Sequence, residues 1–70
     1  MTGISVILNG KRISAGTDSL TEFLVEQGVD AARRFIAVAV NSVVVPRDEW
    51  SNLRLSDDDQ IEIVQPMKGG

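Results

Sequence analysis

The chain has 70 residues, a net charge of −3 and neither cysteine nor histidine. This length accommodates one small domain, and the acidic balance argues against binding to nucleic acid. Without thiols or imidazoles the chain lacks disulfides, thiolate ligands and the commonest general base, so we expect no self-sufficient enzyme and no bound metal or cofactor.

The first predicted element is a hairpin that joins residues 4–8 to residues 11–14. Asn9-Gly10 between them supplies the positive φ angles of a two-residue type I′ turn. The turn sets the facing pairs as Leu8 with Lys11, Val6 with Ile13 and Ile4 with Ala15. One face of the hairpin is then apolar and the other is mostly polar.

A helix is predicted to follow. Ser19 and Glu22 have the spacing of a capping box, and Gly28 supplies a left-handed terminator. Four residues lie on one stripe of this helix and are expected to pack on the sheet: Leu20, Phe23, Leu24 and Gln27.

The second half of the chain predicts three strands. Residues 35–40 alternate between bulky side chains on one face and, after Phe35, alanines on the other. Asn41-Ser42 interrupts this strand, and residues 43–45 form a short one that Pro46 ends. Pro46 opens a short helical turn as its first residue, and residues 60–64 form the last strand.

Two features of this half could carry chemistry. Trp50 is the only tryptophan, and in so small a domain we interpret it as a lid on the core rather than as an anchor for a partner. Asp57-Asp58-Asp59 lacks the ligand spacing of a calcium loop, so we interpret it as a solvated turn.

The order β-β-α-β-β-turn-β predicts an α+β fold, a mixed sheet of about five strands with one main helix across it. We expect a single domain over residues 1–70 with a flexible C-terminal tail over about 66–70. No apolar run is long enough to span a membrane, and the N-terminus lacks the features of a secretory signal, so we expect a cytoplasmic protein.

The C-terminal segment reads Pro66-Met67-Lys68-Gly69-Gly70. Two terminal glycines add nothing to a core, and the simplest interpretation is a frayed end. The alternative is functional: a tail without Cβ atoms can enter a narrow channel and present the Gly70 carboxylate to another protein's active site. ATP could activate that carboxylate for attack by a nucleophile, and a partner enzyme would supply every catalytic group.

Several segments together resemble the thiamine-biosynthesis sulfur carrier proteins, a ubiquitin-like β-grasp family, along almost the whole chain. They are the Asn9-Gly10 hairpin, the helix entry at residues 19–24, the segment at 38–41, Val45-Pro46-Arg47-Asp48-Glu49-Trp50, the turn at 57–61 and Gly69-Gly70. Two residues depart from the family pattern: Asp58 stands where glycine is common, and Met67 where a smaller apolar residue is common.

The resemblance implies a function for the tail. A ThiF-type adenylyltransferase would adenylate the Gly70 carboxylate with ATP, and a persulfide sulfur donor would convert it to a thiocarboxylate for thiazole synthase (ThiG). Gly69 would give the tail access to partner active sites. Val64, Pro66, Met67 and Lys68 are the candidate docking residues, and Val64 with the alanine side of residues 35–40 could form an apolar patch or be covered by loops.

The diglycine alone does not identify the pathway. The same tail would serve a sulfur carrier for molybdopterin, cysteine or tRNA thiolation, or a ubiquitin-like modifier that joins Gly70 to lysines. A binding module with a plain tail is the third alternative, because the fold alone implies no chemistry.

Overall fold

The structure, a computed structural model, describes residues 3–29 and 35–65. In chain order the elements are β1 (Ile4–Leu8), β2 (Lys11–Ala15), α1 (Leu20–Glu26), β3 (Ala37–Val40), β4 (Val43–Val44), a 3₁₀ helix (Arg47–Asn52) and β5 (Gln60–Val64). This is the predicted order, while the tail predicted over 66–70 lies outside the described residues. Neither helix of the described ranges is long and apolar enough to span a membrane.

The five strands form one mixed sheet in the order β2-β1-β5-β3-β4. β5 pairs in parallel with β1 and antiparallel with β3, while both hairpins are antiparallel. β5 therefore lies in the centre of the sheet, with two strands on each side. The C-terminal segment follows directly from this central strand.

Both hairpins close through two-residue turns with positive φ. The first has the predicted register, with Val6 opposite Ile13, and φ angles of 49° at Asn9 and 86° at Gly10. In the second, Asn41 and Ser42 have φ angles of 53° and 71°. The sequence predicted only an interruption there, because serine is an uncommon second residue for a type I′ turn.

The helix is capped at both ends. At its start Ser19 Oγ accepts from the Glu22 N–H at 3.4 Å, but Glu22 does not return to the Ser19 N–H as a capping box predicts. Thr17 takes that place: its hydroxyl accepts from Ser19 N at 3.0 Å and donates to the Glu22 carboxylate at 2.9 Å. At the end Gly28 has a φ of 78°, as predicted, and Val29 N donates to the Leu24 carbonyl at 2.9 Å.

One apolar cluster joins the helix to the inner face of the sheet. Among the described residues its fully buried members are Val6, Leu20, Phe23, Leu24, Val38 and Ile61. Trp50 is 4% exposed and donates from Nε1 to the Val45 carbonyl at 2.9 Å, which confirms its predicted place as a lid on the core.

Besides the capping box, three local expectations were wrong. Gln27 is exposed and not part of the buried helix face, because α1 ends at Glu26. The third strand begins at Ala37 and not at Phe35, since Phe35 has a φ of 66°, which an extended strand cannot include. Pro46 lies just before the 3₁₀ helix and not at its first position, with an extended ψ of 147°.

The acidic turn before β5 ties that strand to its neighbours. Asp57 accepts from Ser5 N at 2.9 Å, and Asp59 accepts from Ser56 N at 2.8 Å and from the Asn41 amide at 3.0 Å. Within the described ranges no three acidic side chains are grouped to hold a metal ion. The carboxylates therefore act as hydrogen-bond acceptors that fix the entry to β5.

Asp58, which stands where the family commonly has glycine, has a left-handed conformation with a φ of 70°. Its carboxylate also pairs with Arg12 at 2.9 Å, but both side chains are exposed, so the ion pair contributes little. We expect Asp58→Ala to destabilise the fold by about 1 kcal/mol relative to Asp58→Gly, because alanine resists positive φ. Both variants lose the ion pair, so denaturant unfolding of the two isolates the conformational cost, and equal stabilities would contradict it.

Candidate functional site

The candidate site is the end of β5, where the chain leaves the sheet toward Gly70. Along β5 the side chains alternate, so that Ile61 and Ile63 are buried while Glu62 and Val64 are exposed. Val64 is 63% exposed and points away from the core. The strand thus presents an apolar side chain on its outer face at its last residue.

An apolar patch continues from Val64 across the outer face of the sheet. Ala37 pairs with Val64, and Ala39 pairs with Val44 on its other side. Because directly opposite residues of antiparallel strands share a face, these side chains are neighbours. We call Ala37, Ala39, Val44 and Val64 the outer patch. Glu62, also opposite Ala39, places a carboxylate within it.

The described residues leave the outer patch largely uncovered. Val44 is 68% exposed, close to the value for Val64, while Ala39 between them is half-buried. Of the two alternatives for this face, the exposed one therefore holds among the described residues. Side chains of this size are usually buried, and a group of them on one face of a small domain is typical of a surface that meets another protein.

Sequence reasoning placed some of this site and missed the rest. Val64 and the alanine side of β3 were predicted, whereas Val44 was not, because its face depends on the hairpin turn at Asn41-Ser42. The two-residue spacing between the third and fourth strands is the signal from which the face of Val44 could have been predicted. Pro66, Met67, Lys68, Gly69 and Gly70, the remaining predicted site residues, lie outside the described residues.

The main chain at the end of β5 is held from both sides. On the β3 side Val64 lies opposite Ala37. On the β1 side the amide of Asn9 accepts from Ile63 N at 3.0 Å and donates to the Ile63 carbonyl at 3.4 Å. Sequence reasoning used Asn9 only as a turn residue, and no local signal indicates its contact with β5.

Comparison with known proteins decides the family. The family model described as the ThiS family matches residues 3–70. This chain belongs to the ThiS family. Sulfur carrier protein ThiS of Escherichia coli (strain K12) is 28% identical to it over 67 residues, covering 96% of this chain and 100% of that protein.

Solved structures agree with this assignment. The crystal structure of thiamine biosynthesis protein ThiS from Geobacter metallireducens has a TM-score of 0.76 at 27% identity and covers 96% of this chain and 100% of that one. An NMR structure of a thiamine biosynthesis protein from the same organism has a TM-score of 0.77 at 24% identity, covers 96% and 88% of the two chains, and supports the fold alone. The chain has the predicted ubiquitin-like β-grasp fold of ThiS.

Proposed function

We propose that this ThiS-family chain is a sulfur carrier of thiamine biosynthesis, in which the Gly70 carboxylate carries the sulfur for thiazole formation. The observation that carries the proposal is the family match over residues 3–70, which includes both terminal glycines. The name of the Escherichia coli relative, a sulfur carrier protein, supports it. In this proposal the protein carries the sulfur atom, and separate enzymes catalyse its loading and transfer.

The first proposed step activates the carboxylate. A ThiF-type adenylyltransferase binds ATP, a Gly70 carboxylate oxygen attacks the α-phosphorus, and pyrophosphate leaves. The product is an acyl-adenylate, whose carbonyl carbon is open to attack because AMP is a good leaving group. This chain contributes the carboxylate and the access that Gly69 gives it, while the partner supplies ATP and the catalytic groups. We propose a cytoplasmic location for the carrier.

The second step loads the sulfur. The terminal sulfur of a persulfide donor attacks the carbonyl carbon and expels AMP, and a thiol then reduces the resulting acyl disulfide to the Gly70 thiocarboxylate. Thiazole synthase (ThiG) receives the sulfur from it. From Val64, the six following residues reach roughly 20 Å when fully extended, enough for Gly70 to enter an active site while the sheet docks outside.

Deletion of the gene from its host tests the pathway. We expect the deletion strain to require added thiazole for growth. The intact gene should remove this requirement, and a copy that lacks the Gly70 codon should not. Growth without thiazole would contradict the thiamine assignment. Loss of a molybdopterin-dependent activity or of tRNA thiolation would assign the carrier to another route, and adducts on lysines would indicate a modifier.

The outer patch supplies the docking surface in this proposal, with Val64 nearest the tail. We expect Val64→Gln to weaken binding to the adenylyltransferase by about tenfold, because it replaces an apolar contact with a polar side chain that must be desolvated. Unfolding free energy is expected to change by less than about 0.5 kcal/mol. Titration calorimetry with the purified partner measures the binding.

Val25 provides the matched control. It is the same residue type with 68% exposure, but it lies on the helix rather than on the sheet's outer face. Val25→Gln is expected to bind as the unchanged protein does. If the two variants bind alike, the outer patch is not the docking surface.

A further inference from the structure

The hydrogen bonds of β5 reveal a gap that a side chain fills. On the side that faces β1, every second carbonyl along this part of the chain accepts a hydrogen bond. The Asp59 carbonyl accepts from Ile7 N at 2.9 Å, and the Ile61 carbonyl accepts from Asn9 N at 2.8 Å. The next groups in this series belong to Ile63. β1 has already ended at Leu8 and the chain turns away at Asn9-Gly10, so no strand of the described residues lies opposite them.

The Asn9 side chain takes the place of the missing strand. Its Oδ1 accepts from Ile63 N at 3.0 Å, and its Nδ2 donates to the Ile63 carbonyl at 3.4 Å. A carboxamide has the acceptor and donor of a peptide group, so Asn9 extends the pairing on the β1 side by one residue of β5.

The turn itself does not require this amide. With a φ of 49° at its first position, a type I′ turn accepts aspartate or glycine as well as asparagine. Glycine offers no side chain and aspartate offers only acceptors, so neither can make both contacts with Ile63. The two contacts with Ile63 therefore depend on the carboxamide, whereas the turn does not.

We propose that Asn9 is a positioning residue that fixes the point at which the C-terminal segment leaves the sheet. This inference rests on the proposed function, because it assigns Asn9 a part in presenting Gly70 to the adenylyltransferase. With Asn9 in place, β5 is held on both edges as far as Ile63. Without it, the main chain at the end of the strand is paired on the β3 side alone, although the Ile63 side chain still packs in the core. Release of Ile63 and Val64 would lengthen the free segment by roughly 7 Å.

The opposite end of β5 provides a matched control. Asn41 also opens a two-residue turn with positive φ, and its side chain also bonds the strand: Oδ1 accepts from Gln60 N at 3.0 Å. Asn41 thus holds the start of β5, far from the tail along the strand, while Asn9 holds its end. Glycine at either position keeps the turn and removes both hydrogen bonds of the side-chain amide, which for Asn41 include one from Nδ2 to the Asp59 carboxylate.

The test compares Asn9→Gly, Asn9→Asp and Asn41→Gly in the full chain. After correction for each variant's global stability, we expect the Ile63 amide to exchange about tenfold faster in Asn9→Gly and less so in Asn9→Asp, which keeps an acceptor. NMR order parameters of Val64 and Gln65 are expected to fall in Asn9→Gly. In Asn41→Gly the Gln60 amide exchanges faster, and residues 63–65 keep their values.

Kinetics with the adenylyltransferase separate positioning from general support of the fold. We expect Asn9→Gly to raise the KM for the carrier about tenfold, with a smaller effect on kcat, because binding must order the released backbone. Asn9→Asp should rescue part of the loss, and Asn41→Gly should keep the KM of the unchanged protein.

Two results would overturn the proposal: unchanged Ile63 exchange in Asn9→Gly, or equal KM values for Asn9→Gly and Asn41→Gly. If the unchanged protein is not adenylated by any authentic partner, the proposed function fails instead. The exchange rates and order parameters then decide alone whether Asn9 fixes the end of β5.

Discussion

Deleting Gly70 is expected to abolish adenylation of the protein and to leave its fold intact. The shortened tail ends about 3.5 Å before the position that its carboxylate must reach. Since a misplacement of about 1 Å can lower a rate by about a hundredfold, we expect at least that loss. ATP-dependent release of pyrophosphate with the purified adenylyltransferase measures it.

Gln65→Ala is the control for this deletion, because it changes an exposed residue of the C-terminal segment outside the candidate docking residues and keeps Gly69-Gly70. It should retain most of the adenylation. Every buried side chain of the described residues precedes Val64, so the thermal unfolding midpoint of the deletion variant is expected to stay close to that of the unchanged protein. A large drop in that midpoint, or adenylation of the shortened chain, would contradict the proposed role of Gly70.

Leu24→Ala is expected to have the opposite profile, with a large loss of stability and intact tail chemistry in whatever fraction stays folded. Leu24 is fully buried between the helix and the sheet, and such truncations cost about 2–5 kcal/mol. A domain of this size has a total stability of only about 4–10 kcal/mol. Denaturant unfolding followed by circular dichroism is expected to show a variant that is close to unfolded at physiological temperature.

The neighbouring residue is the matched control, since Val25 lies on the exposed side of the same helix. Val25→Ala is expected to leave stability unchanged or slightly higher, because alanine favours the helix more than valine does. Similar losses in both variants would mean that the helix does not pack on the sheet in the described orientation.

The local elements could be predicted because their signals are local. Asn9-Gly10 determines both the first turn and its register, and Gly28 ends the helix. Phe35 shows the limit of this reasoning. A bulky aromatic residue is typical of a strand, but Phe35 has a positive φ, which strand propensity does not predict.

The site was harder to predict because it depends on strand order. Asn9 and Ile63 are 54 positions apart in sequence and meet only because β5 lies beside β1. Val44 lies in the outer patch because of the hairpin turn at Asn41-Ser42, and the sequence of that turn only weakly predicts a hairpin. The role of Gly70, in contrast, was inferred from the chemistry that a bare carboxylate permits and from the family resemblance, and it remains a prediction.

The most direct test of the central claim is the intact mass of the protein purified from its native cell, or of protein incubated with the adenylyltransferase, ATP and a persulfide donor. The proposed function predicts a mass increase equal to the exchange of one oxygen for sulfur, confined to the C-terminal peptide that contains Gly70. An unchanged C-terminal peptide after incubation with an authentic partner would contradict it.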